Sequence, residues 1–345
     1  MHILVTGASG FIGRHVVAEL IGAGHRVTTL HRGDPLDLDT AAGLAVRHVR
    51  ADVLSDEARQ AAAESEAVVH LAGRGDVQAS YREPREYGIL NAQGTLNVLE
   101  GARQRRAHVV LASTQRVYRP TDRAISEGAA LAPTDPYACS KLVAEQWCQM
   151  YAEHLATPTT VVRLFSVYGS GQVGQGTSGV VSIFLDRARR GESLTVHADQ
   201  QRDLTWVGDV ARGIRLAIES PPSQDQPARV YNLATGVGTT LHQLAQLVCA
   251  ATGSSSEIVP PSGRSDEGDR VADIGRAQAE LGYVPEVTIA DGLARLAAAA
   301  HLNGRSPAPK GPANLERAAN PDRAASPEGA VTLEGSANWE GARTR

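Results

Sequence analysis

Short apolar runs and longer amphipathic stretches alternate along the first half of the chain. His2–Thr6, Arg26–Leu30, Ala45–Val49, Ala67–Leu71, His108–Ala112 and Thr160–Phe165 carry the apolar and β-branched residues of buried strands. Between them, the stretch that ends at Ala23, Glu83–Arg103 and Pro136–His154 space their apolar residues as helices do. Strands separated by helices predict parallel βαβ units in a doubly wound α/β sheet, with ligands at the carboxyl ends of the strands. After Tyr168 the texture changes. Glycine-rich Gly169–Gly179 predicts a loop, and helices are expected at Val180–Arg190, Gly208–Glu219, Thr240–Thr252, Gly275–Leu281 and Ile289–His301, with only short strands between them. The expected division is a sheet domain over residues 1–168, to which later segments return, and a smaller α/β lobe over 169–303 that binds the second substrate. From Gly304 to Arg345 the only large apolar residues are Leu315, Val331, Leu333 and Trp339, too few to offset ordering entropy, so 304–345 is expected to be a disordered tail.

The first strand runs straight into Gly7-Ala8-Ser9-Gly10-Phe11-Ile12-Gly13 and then a helix. Glycines there let the backbone turn sharply, approach a pyrophosphate without a Cβ in the way and pack the helix on the sheet. The helix N-terminus adds amide donors for the anion. Glycines also mark ordinary turns; their place between the first strand and the first helix is what points to a dinucleotide.

Only two of the 34 basic residues are lysine, Lys141 and Lys310. Lys141 follows Tyr137 by four in Tyr137-Ala138-Cys139-Ser140-Lys141, so on a helix the two side chains share a face. An ammonium is a compact point charge, where arginine would bring a wide fork. Held beside a phenol it favours the phenolate, so the pair predicts a tyrosine of lowered pKa that serves as acid and base near neutral pH.

Composition narrows the class. The net charge of −4, with acids and bases interspersed, gives no electrostatic footprint for nucleic acid. No apolar run reaches membrane-spanning length and no charged-then-apolar leader precedes the first strand, so no membrane partner and a cytoplasmic location are expected. Cys139, Cys148 and Cys249 lack metal-ligand spacing and cannot all pair; reduced, mostly buried thiols and no metal are expected, with Cys139 pointing away from the Tyr137 and Lys141 face.

Together with Ala51-Asp52-Val53, His70-Leu71-Ala72-Gly73, Asn91-Ala92-Gln93-Gly94-Thr95, Ser113-Thr114-Gln115-Arg116-Val117-Tyr118, Arg163-Leu164-Phe165-Ser166-Val167-Tyr168-Gly169 and Arg202-Asp203-Leu204-Thr205-Trp206-Val207-Gly208-Asp209, these motifs carry a resemblance. From His2 to about Ala300 the chain resembles the extended short-chain dehydrogenase/reductases, in the branch of nucleotide-sugar epimerases, dehydratases and 4-ketoreductases. The resemblance implies a Rossmann-type fold, NAD or NADP as cofactor, a nucleotide-sugar substrate and a homodimer formed through the 83–103 and 136–154 helices. It places Gly7, Gly10, Phe11, Ile12, Gly13, His31, Arg32, Asn91 and Ala112 among the cofactor-binding residues. Asp52 is implied on the adenine amino group, Val53 against its ring, and Leu71, Ala72 and Gly73 along the nicotinamide ribose. Thr114 is implied as the active-site hydroxyl, Tyr137 as the acid/base, and Lys141 as the residue that holds the ribose and tunes the tyrosine. Substrate contacts are implied for Thr114, Ser166, Arg202 and Arg264, the arginine forks matching diphosphate oxygens, with Arg270 an alternative to Arg264. In that chemistry a tuned phenol takes and returns a sugar hydroxyl proton while NAD(P) carries the hydride.

Several positions depart from the pattern. NAD-using relatives place a carboxylate at the end of the second strand, where this chain has His31-Arg32, cations suited to the 2′-phosphate of NADP; Asp34 nearby leaves NAD open. The Asp-Glu that follows the active-site threonine in 4,6-dehydratases is Gln115-Arg116 here, which disfavours elimination of water. Ser166 replaces the usual asparagine and Arg119 the usual glycine. Two enzyme readings follow: a nucleotide-sugar epimerase acting at C4, and an NADPH-dependent reductase of a nucleotide-linked 4-ketosugar. A third is a non-catalytic NAD(P)-binding sensor, because fold does not fix function.

Overall fold

A computed structural model of the chain describes residues 1–33, 46–172, 179–261, 263 and 268–302. Asp34, Ala45, Arg264 and the 304–345 tail expectation lie outside the described residues, as does most of the Gly169–Gly179 stretch.

The first half alternates strand and helix as the pattern predicts: β1 (His2–Thr6), α1 (Phe11–Gly22), β2 (Arg26–His31), β3 (Arg47–Arg50), α2 (Asp56–Glu64), β4 (Ala67–His70), α3 (Val77–Arg82), α4 (Pro84–Tyr87), α5 (Gly94–Ala102), β5 (His108–Thr114), α6 (Pro136–Leu155) and β6 (Thr159–Leu164). The rest comprises β7 (Ser166–Tyr168), α7 (Val180–Arg189), β8 (Leu194–Thr195), β9 (Gln201–Trp206), α8 (Val207–Glu219), β10 (Ala228–Leu233), β11 (Gly238–Thr240), α9 (Leu241–Thr252), β12 (Ile258–Val259), α10 (Gly275–Leu281) and α11 (Ile289–Leu302).

Seven strands form one parallel, Rossmann-like sheet in the order β10-β6-β5-β4-β1-β2-β3. The late strand β10 thus completes a sheet begun at residue 2. Side chains alternate across it. Ile3, Val5, Val27, Val69, Val110 and Val162 face α1 and α8, while Leu4, Leu30, Val68, Val109, Leu111 and Val161 face α2, α5 and α6. Each such valine or leucine taken out of water stabilises the fold by roughly 1.5–3 kcal/mol. A separate core gathers Tyr168 of β7 with Val181, Phe184, Leu185, Leu244, Val248 and Leu293 of α7, α9 and α11, against the three-stranded sheet β11-β9-β7.

From β1 the chain builds outward to β2 and β3, then crosses back to place β4 on the other side of β1. The strand order reverses there, and the carboxyl ends of β1 and β4 open a crevice. Two glycines make that corner possible. Gly7 has φ +66°, and a Cβ on it would lie 2.7 Å from Ala72 N; a Cβ on Gly13 would lie 2.2 Å from the Gly7 carbonyl oxygen. Gly13→Ala therefore has to push α1 off the turn, at about 1–3 kcal/mol, and the melting temperature should fall by roughly 2–10 °C. Gly22→Ala, on the same helix with nothing within 4 Å of the added carbon, is the control and should leave the melting temperature unchanged or slightly raised. Equal melting of the two variants would contradict the close-packing account.

Three expectations need correction. The continuous helix over Glu83–Arg103 is instead α4, a π-helical turn at Gly88–Gln93, and α5. The spans named from the pattern leave out α2 and α3: both are short, and the caps Ser55 and Asp76 fix where they begin. Of the three thiols only Cys148 is buried; Cys249 is intermediate and Cys139, facing away from Lys141, is exposed. No helix among the described residues is long and apolar enough to cross a membrane.

Candidate active site

The crevice continues as a cleft along the carboxyl edge of the sheet. One part, about 300 Å³, is walled by Gly7, Gly10, His31, Arg32, Asp52 and Val53; an adjoining part, about 590 Å³, by Phe11, Ile12, Gly13, Gly73, Arg74 and Ala112 among others. Gly7, Gly10, Arg32, Leu71 and Gly73 border both. Helix α1, with Gly10 as its N-cap, has no side chain bonded to its first amides and no acidic residue in its first turn. A Cβ at Gly10 would meet only the Gly7 carbonyl, at 3.1 Å. An anion is the natural guest of such a helix end.

At the β2 end of the cleft the expected cations part company. His31 is 3% exposed, and its Nδ1 lies 2.8 Å from the Gly33 carbonyl oxygen, so its ring is a buried wall. Arg32 reaches outward, with Nη1 3.7 Å from Asp52 Oδ2 and its side chain 69% exposed. Asp52 also accepts the Leu54 amide on Oδ1 at 2.9 Å. Val53 is buried, and Gly94 of α5 makes room for it, since a Cβ there would come within 2.9 Å of Val53 Cγ1.

The floor is held by Asn91. Fully buried in the π-helical turn, it accepts the Arg74 amide at 2.8 Å and donates to the Arg74 carbonyl at 3.1 Å and to Ser140 Oγ at 2.9 Å. It thereby ties the Gly73–Arg74 backbone to α6. A Cβ on Gly73 would fall 2.7 Å from Asn91 Oδ1 and 3.3 Å from Lys141 Nζ. Leu71, Ala72, Gly73, Asn91 and Lys141 thus converge on one wall.

Thr114, Tyr137 and Lys141 meet where β5 runs under the first turns of α6. Asp135 sets this meeting point. It caps α6 by accepting the Ala138 amide at 2.8 Å, ahead of Pro136 at the first helical position, and its other oxygen accepts Arg116 Nε at 2.7 Å. Arg116 is two residues past Thr114, so one buried carboxylate locks the helix start to the strand end. The Thr114 hydroxyl, which accepts the Arg116 amide at 3.2 Å, lies beside the Tyr137 phenol, and Lys141 donates to the Ala112 carbonyl oxygen at 2.9 Å. Tyr87, whose ring meets that of Tyr137 edge to face at 6.3 Å, and Arg74, 4.8 Å over the Tyr87 ring, complete the wall.

The electrostatics differ from expectation. Burial pushes the Tyr137 phenol up to about 12, with the Thr114 hydroxyl acting against it, and brings the Lys141 ammonium down to about 8. The expected lowering of the tyrosine by Lys141 is not what this geometry gives: the ammonium is bonded to a backbone carbonyl, and desolvation outweighs the favourable contacts. The phenol stands loaded with its proton.

The expected substrate contacts lie further out. Ser166 Oγ accepts from Gln115 Nε2 at 3.4 Å. Arg202 donates to the carbonyls of Gln201 at 3.2 Å and Gly268 at 3.0 Å, while Arg270, 3% exposed, donates to those of Gln115 and Tyr118 at 3.3 and 3.2 Å. Residues that sequence reasoning passed over include Arg74, Tyr87 and Asp135. The Asp-Pro at 135–136 was a readable helix start; the other two carried no signal. Among the described residues no group of His, Cys, Asp and Glu is arranged to hold a metal.

Comparison with known proteins places this geometry in company. The family model described as "NAD dependent epimerase/dehydratase family" matches residues 3–234. A putative UDP-glucose 4-epimerase of Methanocaldococcus jannaschii is 30% identical over 303 residues, covering 85% of this chain and 96% of the relative. Among solved structures, the UDP-glucose 4-epimerase of Thermotoga maritima with UDP-glucose superposes with a TM-score of 0.77 at 30% identity, covering 88% of this chain and 99% of that one. MoeE5 in complex with UDP-glucuronic acid and NAD gives a TM-score of 0.78 at 30% identity over 88% and 100% of the two chains.

Proposed function

The chain belongs to the NAD-dependent epimerase/dehydratase family, within the extended short-chain dehydrogenase/reductases, and on that premise we propose that it is an NAD-dependent epimerase that inverts C4 of a UDP-linked sugar. The observation that carries the reading is the convergence of Thr114, Tyr137 and Lys141 beside a glycine-walled cleft with an uncapped helix end.

The residues present fit a dinucleotide. Gly7, Gly10 and Gly13, with the first amides of α1, form a cradle that added side-chain carbons would fill, and Asp52, Val53, Leu71, Ala72 and Gly73 line its two ends. When bound, the nicotinamide supplies an acceptor for hydride from the sugar carbon and a donor for its return. As its phenolate, Tyr137 accepts the hydroxyl proton of that carbon and gives it back, so the buried phenol has to release its own proton before turnover begins; Thr114 orients the hydroxyl and the phenol together, and Lys141 holds a positive charge beside the ribose wall. Ser166 and Arg202 contact the substrate, with Arg202 on the diphosphate side. Elimination of water would need a further acid and base after Thr114. Gln115 is instead a buried amide, and Arg116 is committed to Asp135. Pairing of two copies through the 83–103 segment and α6 belongs to the same reading.

The reductase alternative draws on Arg32, the exposed cation at the cleft rim. Its pairing with Asp52 weakens that case, because the fork is already partly neutralised. Calorimetric titration separates the two. The epimerase reading expects wild type to bind NAD more tightly than NADP, with Arg32→Ala changing NAD affinity by less than about threefold. Tighter NADP binding, lost by about ten- to a hundred-fold in Arg32→Ala, would favour the reductase.

A further inference from the structure

Beneath the site, α6 meets β5 through a ladder of three contacts. Thr114 faces Tyr137, the Ala112 carbonyl takes Lys141, and between them Ser113 Oγ donates to Glu145, one helical turn beyond Lys141. Glu145 is 7% exposed. Its carboxylate also receives the guanidinium of Arg163, with Nε at 3.1 and 3.2 Å and Nη2 at 2.6 Å. Arg163 pairs in register with Ser113 across β5 and β6, on the face that α6 covers. It is itself 4% exposed, sits 4.6 Å over the Tyr118 ring and donates to the Glu127 carbonyl at 3.2 Å.

Two cations and one anion are thus buried in a row. An isolated buried charge is costly, and removing one member of such a set leaves the others uncompensated. From the geometry we propose that Glu145, clamped by Arg163 and Ser113, is a positioning residue for Lys141: a buried counter-charge that keeps its ammonium seated against β5 beneath the cleft. For the role of Lys141 this rests on the function proposed above.

The groups facing Lys141 can be enumerated among the described residues. On α6 they are Glu145 and Cys148, with Tyr137 one turn away; on β4, His70. Burial brings His70 down to about 3 and pushes the Cys148 thiol far up, so both are neutral around pH 7, as is Tyr137. Glu145, clamped by the Arg163 guanidinium, is left as the counter-charge, and it works against the desolvation that lowers Lys141.

The scarcity of lysine makes the test direct. In full-length protein carrying Lys310→Arg and 13Cε-labelled lysine, Lys141 gives a single resonance that can be titrated by NMR. Glu145→Gln should lower its midpoint by at least about one pH unit, a tenfold loss of proton affinity, and move the alkaline limb of kcat down in parallel. Glu145→Asp, which withdraws the carboxylate by one methylene, should lower the midpoint by less. If Glu145→Gln fails to fold, the comparison of wild type with Glu145→Asp decides alone. An unchanged Lys141 midpoint in a folded variant overturns the proposal. The NMR midpoint needs no substrate, so it stands apart from the epimerase reading, which fails instead if the wild type turns over no nucleotide sugar.

Discussion

Tyr137→Phe is expected to lower kcat by roughly 10²–10⁴-fold, while the protein still folds and still binds NAD. The ring, its edge-to-face contact with Tyr87 and the packing of α6 all survive; only the hydroxyl beside Thr114 is lost. The loss corresponds to about 3–5 kcal/mol of barrier and should leave KM within a few-fold, since an interaction used in proton transfer is spent in the transition state. Steady-state kinetics with a UDP-sugar, beside a binding titration of NAD, checks both halves. A variant that turns over near the wild-type rate would remove Tyr137 from the chemistry and revive the sensor reading.

Lys141→Arg is expected to be nearly as severe, although it conserves charge in a chain that writes arginine almost everywhere. Lys141 is 6% exposed, its ammonium bonded to the Ala112 carbonyl and close behind the Gly73 backbone. A guanidinium is wider than that slot, so overpacking costs about 1–3 kcal/mol and displaces either β5 or the Gly73 turn. Turnover should fall at least about a hundredfold, with NAD affinity falling as well. In Tyr137→Phe that affinity is retained, so the pair of variants separates proton transfer from ribose holding. Wild-type activity in Lys141→Arg would show that charge alone suffices at this position.

The parts of the fold and site that were legible in the sequence are those decided by neighbours along the chain. The run of β1 into Gly7, Gly10 and Gly13 follows from local pattern and from the space a Cβ occupies, and the shared face of Tyr137 and Lys141 follows from helical spacing. Features that depend on distant residues were not legible. The break of the 83–103 helix into a π-helical turn goes with Asn91, whose amide spans from the Arg74 backbone to Ser140; neither partner is near it in sequence. The Arg32–Asp52 contact joins the end of β2 to the turn after β3. Nothing in the neighbouring sequence sets Glu145 apart from other helix acids; its partner Arg163 lies eighteen residues on. The tyrosine pKa was misjudged in sign because spacing announces a neighbouring charge but says nothing of desolvation, which here is the larger effect.

The central claim is that the chain inverts a sugar carbon by taking a hydride from it and returning that hydride to the other face. Purified wild-type protein, charged with NAD and freed of excess cofactor, should be incubated with UDP-glucose and followed by proton NMR. The expected result is conversion to UDP-galactose until the two reach equilibrium, over many turnovers and with no net formation of NADH. An absence of C4 inversion with both UDP-glucose and UDP-glucuronic acid, or sugar turnover only with stoichiometric consumption of added NADPH, would contradict it.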